Sequence, residues 1–88
     1  MKIEINPMTM EQAEEMGISS WSIWTCEESE FDWEYTENES CYLLDGEVEV
    51  KTNWEIVKFG KGDFVKFPKG LQCKWKVTKA VKKHYQFN

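Results

Sequence analysis

The stretch that decides the fold is GDFVKFPKGLQC at residues 62–73. Its first half, Phe64 to Phe67, has a short strand pattern that ends at Pro68-Lys69-Gly70, a sequence typical of a turn. After the turn, apolar residues occupy every second position: Leu71, Cys73, Trp75 and Val77. A period of two is that of a half-buried strand, so the stretch predicts two strands joined by a tight turn.

The same pattern extends over the chain after Trp21. Alternating apolar residues predict strands near residues 31–35 and 41–43. Asp45-Gly46 is typical of a type I′ hairpin, with a return strand through residues 48–51. Further strands are predicted at 54–59 and 81–87. The total of about eight short strands favours a small sandwich or barrel. A five-stranded OB-type barrel is disfavoured because the strand count is too high.

The first twenty residues predict a strand and a short helix. Ile3 and Ile5 alternate with polar residues, which suits a short leading strand. Thr9 and Gln12 match the capping box that begins a helix, and Gly17 is expected to end it after about two turns. We expect this helix to cover one end of the barrel.

Length and composition predict one compact domain. The chain of 88 residues is expected to form a single domain, with the strand and helix in 1–20 and the barrel in 21–88. Five Trp, five Phe and three Tyr supply a dense core. No apolar run is long enough to span a membrane, and no signal-peptide pattern is present. Three cysteines without CxxC spacing predict reduced thiols and a cytoplasmic location.

Charge is divided sharply along the chain. Residues 1–50 hold fourteen acidic residues and one lysine, whereas residues 51–88 hold ten lysines and two acidic residues. We expect these charges to pair across neighbouring strands. The alternative is a basic face for nucleic acid, but the acidic half would repel phosphate, so no nucleic-acid partner is expected. That face would consist of Lys66, Lys69, Lys74, Lys76, Lys82 and Lys83, with Trp75 and Tyr85 between them.

Two segments resemble the paired motifs of the cupin superfamily. In the second motif, Gly62, Pro68 and Gly70 have the family spacing, and Cys73 stands where a metal-binding His is expected. In the first motif, Glu39 and Gly46 keep the family spacing. The chain is similar to the short cupins grouped with ureidoglycine aminohydrolase and ethanolamine-utilisation proteins. The segments that support this are Phe31-Asp32-Trp33, Glu39-Ser40-Cys41-Tyr42, Phe67-Pro68-Lys69-Gly70 and Cys73-x-Trp75. The resemblance implies a jelly-roll barrel with a pocket in its mouth, often built as a homodimer.

The metal ligands of that family are largely replaced. Trp33 and Tyr35 stand in place of the first motif's His pair in one alignment, and Asp32 and Glu34 do so in the other. Alternation favours the first alignment, because apolar residues should face inward. Trp has no lone pair to donate, so a divalent metal, if bound, would have Tyr35, Glu39 and Cys73 as its candidate ligands. With three His missing, no metal or other cofactor is expected.

The candidate ligand-pocket residues are Trp33, Tyr35, Glu39, Cys73 and Trp75. Glu39 shares its strand face with Cys41 and is expected to face inward. It is either an acid/base or ligand anchor, or a structural carboxylate hydrogen-bonded to Tyr35 or to backbone. Cys73 is also expected to face inward, and the only histidine, His84, to face away from it.

Three functions are compatible with these residues. The preferred hypothesis is a metal-free cupin that binds a small polar molecule through Glu39, Tyr35 and Cys73. The alternatives are a metal-dependent enzyme of the ureidoglycine aminohydrolase type, and a structural or partner-binding cupin with a filled barrel. Lys58 and Lys83 lie on otherwise apolar strand faces. Each of them either ends near the pocket or extends out to solvent.

Overall fold

The structure is a computed structural model that describes residues 1–88. Most of these residues belong to antiparallel strands. The prediction of an all-β fold with a short N-terminal helix is confirmed. A 3₁₀ turn at Ile18–Ser20 follows that helix. The elements in chain order are β1 (Glu4–Pro7), α1 (Met10–Glu15), β2 (Ser22–Cys26), β3 (Ser29–Glu34), β4 (Glu39–Lys51), β5 (Ile56–Gly60), β6 (Asp63–Phe67) and β7 (Gln72–Phe87).

The two longest strands, β4 and β7, pair with each other and organise the whole sheet. The first part of β4 also pairs with β6, which pairs with β1, while the second part of β4 pairs with β5. In β7 the first part pairs with β3 and the second part with β2. One half of the fold is therefore β1-β6-β4-β7-β2 and the other is β5-β4-β7-β3, as in a jelly roll.

The prediction of a hairpin at Asp45-Gly46 is wrong. Strand β4 continues through these two residues, although its pairing there is irregular. The pairing of β4 with β7 shifts register between Leu43 and Val48. Gly46 has a φ of 97°, and a Cβ there would overlap backbone carbonyl oxygens of β7. A bulge inserts an extra residue and so exchanges the two faces of a strand. The buried positions change accordingly from Cys41 and Leu43 to Val48 and Val50.

The predicted number of strands also needs correction, since the fold has seven. The bulge joins the strands predicted at 41–43 and 48–51 into β4. The strands predicted near 71–77 and 81–87 are one continuous strand, β7. The predictions missed β2, in which only Trp24 and Cys26 are partly buried against the core while the other three residues are exposed.

The capping box predicted for the helix is present. Thr9 Oγ1 accepts a hydrogen bond from the Gln12 amide at 3.1 Å, and the Gln12 side chain accepts one from the Thr9 amide at 2.9 Å. The helix has six residues and is followed by Gly17, which has a φ of 75°. It belongs to a small second core with Tyr42 and Phe64, which lie on the outer face of β4 and β6. The helix therefore covers the outside of the sheet and not the end of the barrel. No helix is long and apolar enough to cross a membrane.

The main core lies between the two halves of the fold and is rich in aromatic rings. Tyr35 stacks on Phe67 with ring centroids 4.7 Å apart, and Phe67 is 5.7 Å from Trp75. Phe67 comes from β6 and Trp75 from the first part of β7, so these contacts join the two halves. Such aromatic pairs add to the stabilisation from burial.

The divided charges pair across neighbouring strands, as the sequence predicts. The exposed ion pairs are Lys74–Glu30 at 3.2 Å, Lys79–Glu47 at 3.6 Å and Lys58–Glu49 at 3.9 Å. Two residues of the basic face considered above, Trp75 and Lys83, are buried in the interior.

Candidate functional site

A cavity of about 240 Å³ opens among β2, β3, β7 and the start of β4. Two of its nine lining residues are charged, Glu39 and Lys83. The other seven are aromatic: Trp24, Phe31, Trp33, Tyr35, Trp75, Tyr85 and Phe87. An apolar wall with a few polar groups at one place is typical of a small-molecule site.

The cavity is built by the period of two along its strands. Every second residue of a strand faces the same side. Trp75 and Lys83 share one face of β7, and Glu39 shares its face of β4 with Cys41 and Leu43, which are fully buried. The rim is more open, since Trp33 is 47% exposed and Phe87 is 44% exposed. The cavity therefore runs from solvent at the aromatic rim to the buried charges.

Glu39 and Lys83 form an ion pair at the inner end of this cavity. The distance between Lys83 Nζ and Glu39 Oε2 is 2.6 Å, and about 5% of each side chain is exposed. The same ammonium lies 4.9 Å from the ring centroid of Trp24 and 4.7 Å from that of Trp75. A buried ammonium is stabilised by such contacts with a carboxylate and with the faces of indole rings.

Two polar atoms next to the ion pair make no hydrogen bond of good geometry within the chain. They are Glu39 Oε1 and the Tyr35 hydroxyl, and neither is sealed from the cavity. The Trp75 indole N–H, in contrast, is fully buried. It lies near Tyr35 and Cys73 but makes no hydrogen bond of good geometry to either. Buried polar groups normally find partners, so the two open atoms are available to a ligand.

The neighbouring phenol and thiols keep their protons at neutral pH. Burial raises the pKa of the Tyr35 hydroxyl far above its usual value of 10.0, and the Glu39 carboxylate raises it further. Burial also raises the pKa of Cys73 to about 11 and that of Cys41 to about 12. A low-dielectric environment disfavours the charged form of each group. Only Glu39 and Lys83 therefore bring charge to the cavity.

Four of the five sequence-predicted pocket residues line this cavity: Trp33, Tyr35, Glu39 and Trp75. The fifth, Cys73, is buried beside them and does not line it. Asp32 and Glu34 are exposed and do not line this cavity, whereas Trp33 and Tyr35 do, so the fold supports the alignment that places these two on the cavity side. Tyr35 is buried as expected, but Trp33 is 47% exposed at the rim and is not in the interior.

The sequence analysis left the role of Lys83 open and did not include four other lining residues: Trp24, Phe31, Tyr85 and Phe87. The strand position of Lys83, two residues after Val81 and two before Tyr85, was the signal for its inward direction. Lys58 instead extends into solvent and pairs with Glu49. His84 Nδ1 lies 3.1 Å from the Trp21 carbonyl oxygen, away from Cys73, as the alternation predicts.

The side chains of this cavity do not form a set of ligands that suits a metal ion. No group of three or more His, Cys, Asp and Glu side chains is close enough to hold an ion. The Glu39 carboxylate is held by an ammonium, the Tyr35 phenol keeps its proton, and the Cys73 thiol keeps its proton outside the cavity. A first-row transition metal prefers imidazole, thiolate or carboxylate ligands that are free to bind it.

A single sheet of seven strands folded into two halves, with a cavity at one end, is consistent with the jelly roll of a small cupin. The family model for the EutQ-like cupin domain matches residues 13–85, and the chain belongs to that family. A search of the curated proteins finds no match.

The similar solved structures agree with this assignment. A DUF861-family protein from Thermotoga maritima is 46% identical, with a TM-score of 0.94 over 99% of this chain and 100% of that one. The EutQ protein of Clostridium difficile is 20% identical, with a TM-score of 0.69 over 97% of this chain and 66% of that one. A putative ethanolamine utilization protein from Salmonella typhimurium is 21% identical, with a TM-score of 0.68 over 99% and 69%. The last two likenesses concern the fold alone.

Proposed function

We propose that this cupin binds a small molecule with a planar apolar body and a polar head group, and that it does so without a metal ion. The observation that carries the proposal is the buried Glu39–Lys83 ion pair at the inner end of an aromatic cavity. Polar groups in such a place fix the orientation of a ligand, while the aromatic wall supplies most of the contact area.

The size of the cavity limits the ligand. Drug-sized ligands occupy pockets of roughly 300–1,000 Å³, whereas this cavity has about 240 Å³. A single ring with one polar substituent is therefore the expected size. The ring would contact the aromatic wall, and the substituent would reach Glu39 Oε1 and the Tyr35 hydroxyl.

A barrel filled by its own side chains is the main alternative, since small barrels close in this way. Two features favour binding. The aromatic residues leave a cavity beside the ion pair, and two polar atoms there make no hydrogen bond of good geometry within the chain. In a filled structural core, such atoms would normally be hydrogen-bonded within the chain.

The test is a screen of single-ring compounds by thermal shift and Trp fluorescence, on chelator-treated protein. Trp24, Trp33 and Trp75 all line the cavity, so a bound ligand should change the emission. A binder is expected to raise the melting temperature by mass action, and added divalent ions should not change its affinity.

Two exposed tryptophans provide matched variants for this screen. Trp33→Ala removes a ring from the cavity rim and should weaken binding, whereas Trp54→Ala removes a ring that is 63% exposed elsewhere and should not. Equal binding by both variants would contradict the cavity as the site. Binding that appears only after a metal is added would contradict the metal-free proposal.

A further inference from the structure

We infer that the head group of the ligand is neutral and amide-like, with a carbonyl that accepts a hydrogen bond from Lys83 and an N–H that donates to Glu39. This inference rests on the proposed function and deepens it by naming the chemical class of the head group. It follows from the charge balance of the cavity and from the polar atoms that remain free in it.

The charges in the cavity cancel. Glu39 and Lys83 are the only charged lining residues and lie in direct contact. The raised pKa values of Tyr35 and Cys73 leave both groups neutral at pH 7. The cavity therefore has no net charge that could offset the free-energy cost of removing a charged ligand from water.

A charged head group would also meet a like charge at short range. A carboxylate near the Lys83 ammonium would lie close to Glu39, because the two side chains are only 2.6 Å apart. An ammonium near Glu39 Oε1 would lie close to Lys83 for the same reason. A zwitterion satisfies both charges, but two ions must then leave water, which costs more than the transfer of one amide.

An amide group matches the hydrogen-bonding atoms that the cavity offers. Glu39 Oε1 is a free acceptor, and the Tyr35 hydroxyl can donate or accept. Lys83 has three donors, of which one reaches Glu39 Oε2, and its ammonium lies over two indole rings. A planar amide presents one acceptor and up to two donors at one end of a ring, and the ring itself fits the aromatic wall.

The test compares four probes of similar size on the full chain at pH 7: benzamide, benzoate, benzylamine and phenylglycine. Affinities are measured from Trp fluorescence and confirmed by calorimetry. Benzamide is expected to bind at least about tenfold more tightly than any of the three charged probes. Tighter or equal binding of a charged probe would overturn the amide inference and leave the proposed function intact.

The two proposals fail in different ways. If none of the four probes binds but other single-ring compounds do, the amide class is wrong. If no single-ring compound changes the fluorescence or the melting temperature, the proposed function fails and the inference fails with it.

Two variants test the role of each charge. Glu39→Gln leaves Lys83 unpaired and should raise the affinity for benzoate about tenfold or more relative to benzamide. Lys83→Met leaves Glu39 unpaired and should shift the preference towards benzylamine. Glu30→Gln, which removes a half-exposed carboxylate outside the cavity, is the control and should leave the ranking unchanged. An unchanged ranking in both cavity variants, folded by circular dichroism, would overturn the inference. The ranking on the parent chain remains decisive if a variant does not fold.

Discussion

Loss of one partner of the Glu39–Lys83 pair is expected to destabilise the fold strongly. The two charges are 2.6 Å apart, and about 5% of each side chain is exposed. With an effective dielectric constant of about 20, their attraction is roughly 6 kcal/mol. This attraction offsets a desolvation penalty of several kcal/mol for each ion. If Lys83 alone is replaced, Glu39 remains a buried carboxylate without a counter-charge, and its desolvation penalty is no longer offset.

The expected cost of Lys83→Met, or of Glu39→Leu, is about 3–5 kcal/mol in the free energy of unfolding. For a domain of this length, that change lowers the melting temperature by about 12 °C or more. The double variant Glu39→Leu/Lys83→Met removes both charges, and it should be more stable than either single variant because no buried charge remains unpaired.

Urea unfolding followed by Trp fluorescence measures these differences. The exposed pair Glu30–Lys74 provides the control, because its members are 50% and 51% exposed at 3.2 Å. Glu30→Gln should change the unfolding free energy by no more than about 1 kcal/mol. If Lys83→Met were as mild as this control, or if the double variant were less stable than both single variants, the reasoning from a buried ion pair would be refuted.

Three further predictions concern the scaffold. Gly46→Ala should destabilise the fold by more than about 2 kcal/mol, because it combines a positive φ with a clash against β7, whereas Gly62→Ala has a similar φ but open space and should cost less. Comparable urea midpoints for the two would contradict the bulge. The pKa values of Cys41 and Cys73, raised to about 12 and about 11 from 9.0, make the folded chain retain protons that the unfolded chain loses. The free energy of unfolding should therefore fall as the pH rises above 9, by up to about 1.4 kcal/mol per pH unit for each thiol. Urea unfolding at pH 8 and at pH 10 measures this change, and equal free energies at the two pH values would contradict the prediction. Thr9→Ala should cost about 1 kcal/mol through loss of the cap, visible as a lower melting temperature in calorimetry.

Local patterns were enough to predict the fold, but not the course of individual strands. The alternation after Pro68 and the capping box at Thr9 are patterns of residues close together in sequence. The strand and the helix that they predict are both present in the structure. Asp45-Gly46 has the local chemistry of a hairpin, yet its conformation is decided by pairing with β7, which is distant in sequence. A glycine with positive φ serves a hairpin turn and a bulge equally well, so local sequence does not distinguish them.

The site was predictable to the extent that strand alternation defines a face. Alternation placed Tyr35 and Glu39 inside, and both line the cavity. It gave Lys83 the same face but did not identify its partner, because that contact joins residues 44 positions apart. Alternation also predicted that Cys73 faces inward, and its side chain is buried. It does not line the cavity, however, because alternation does not specify which part of the interior a side chain reaches.

The energetics of the ion pair distinguish a binding site from a structural core. Replacement of a buried ion pair by well-packed apolar residues is often neutral or stabilising by about 1–4 kcal/mol. A short chain that only needed to fill its barrel would therefore gain from leucine and methionine at positions 39 and 83. If Glu39→Leu/Lys83→Met is at least as stable as the parent and loses its affinity for benzamide, the pair serves binding at the expense of stability. If the double variant is clearly less stable and binds equally well, the pair is a structural element and the barrel is a scaffold.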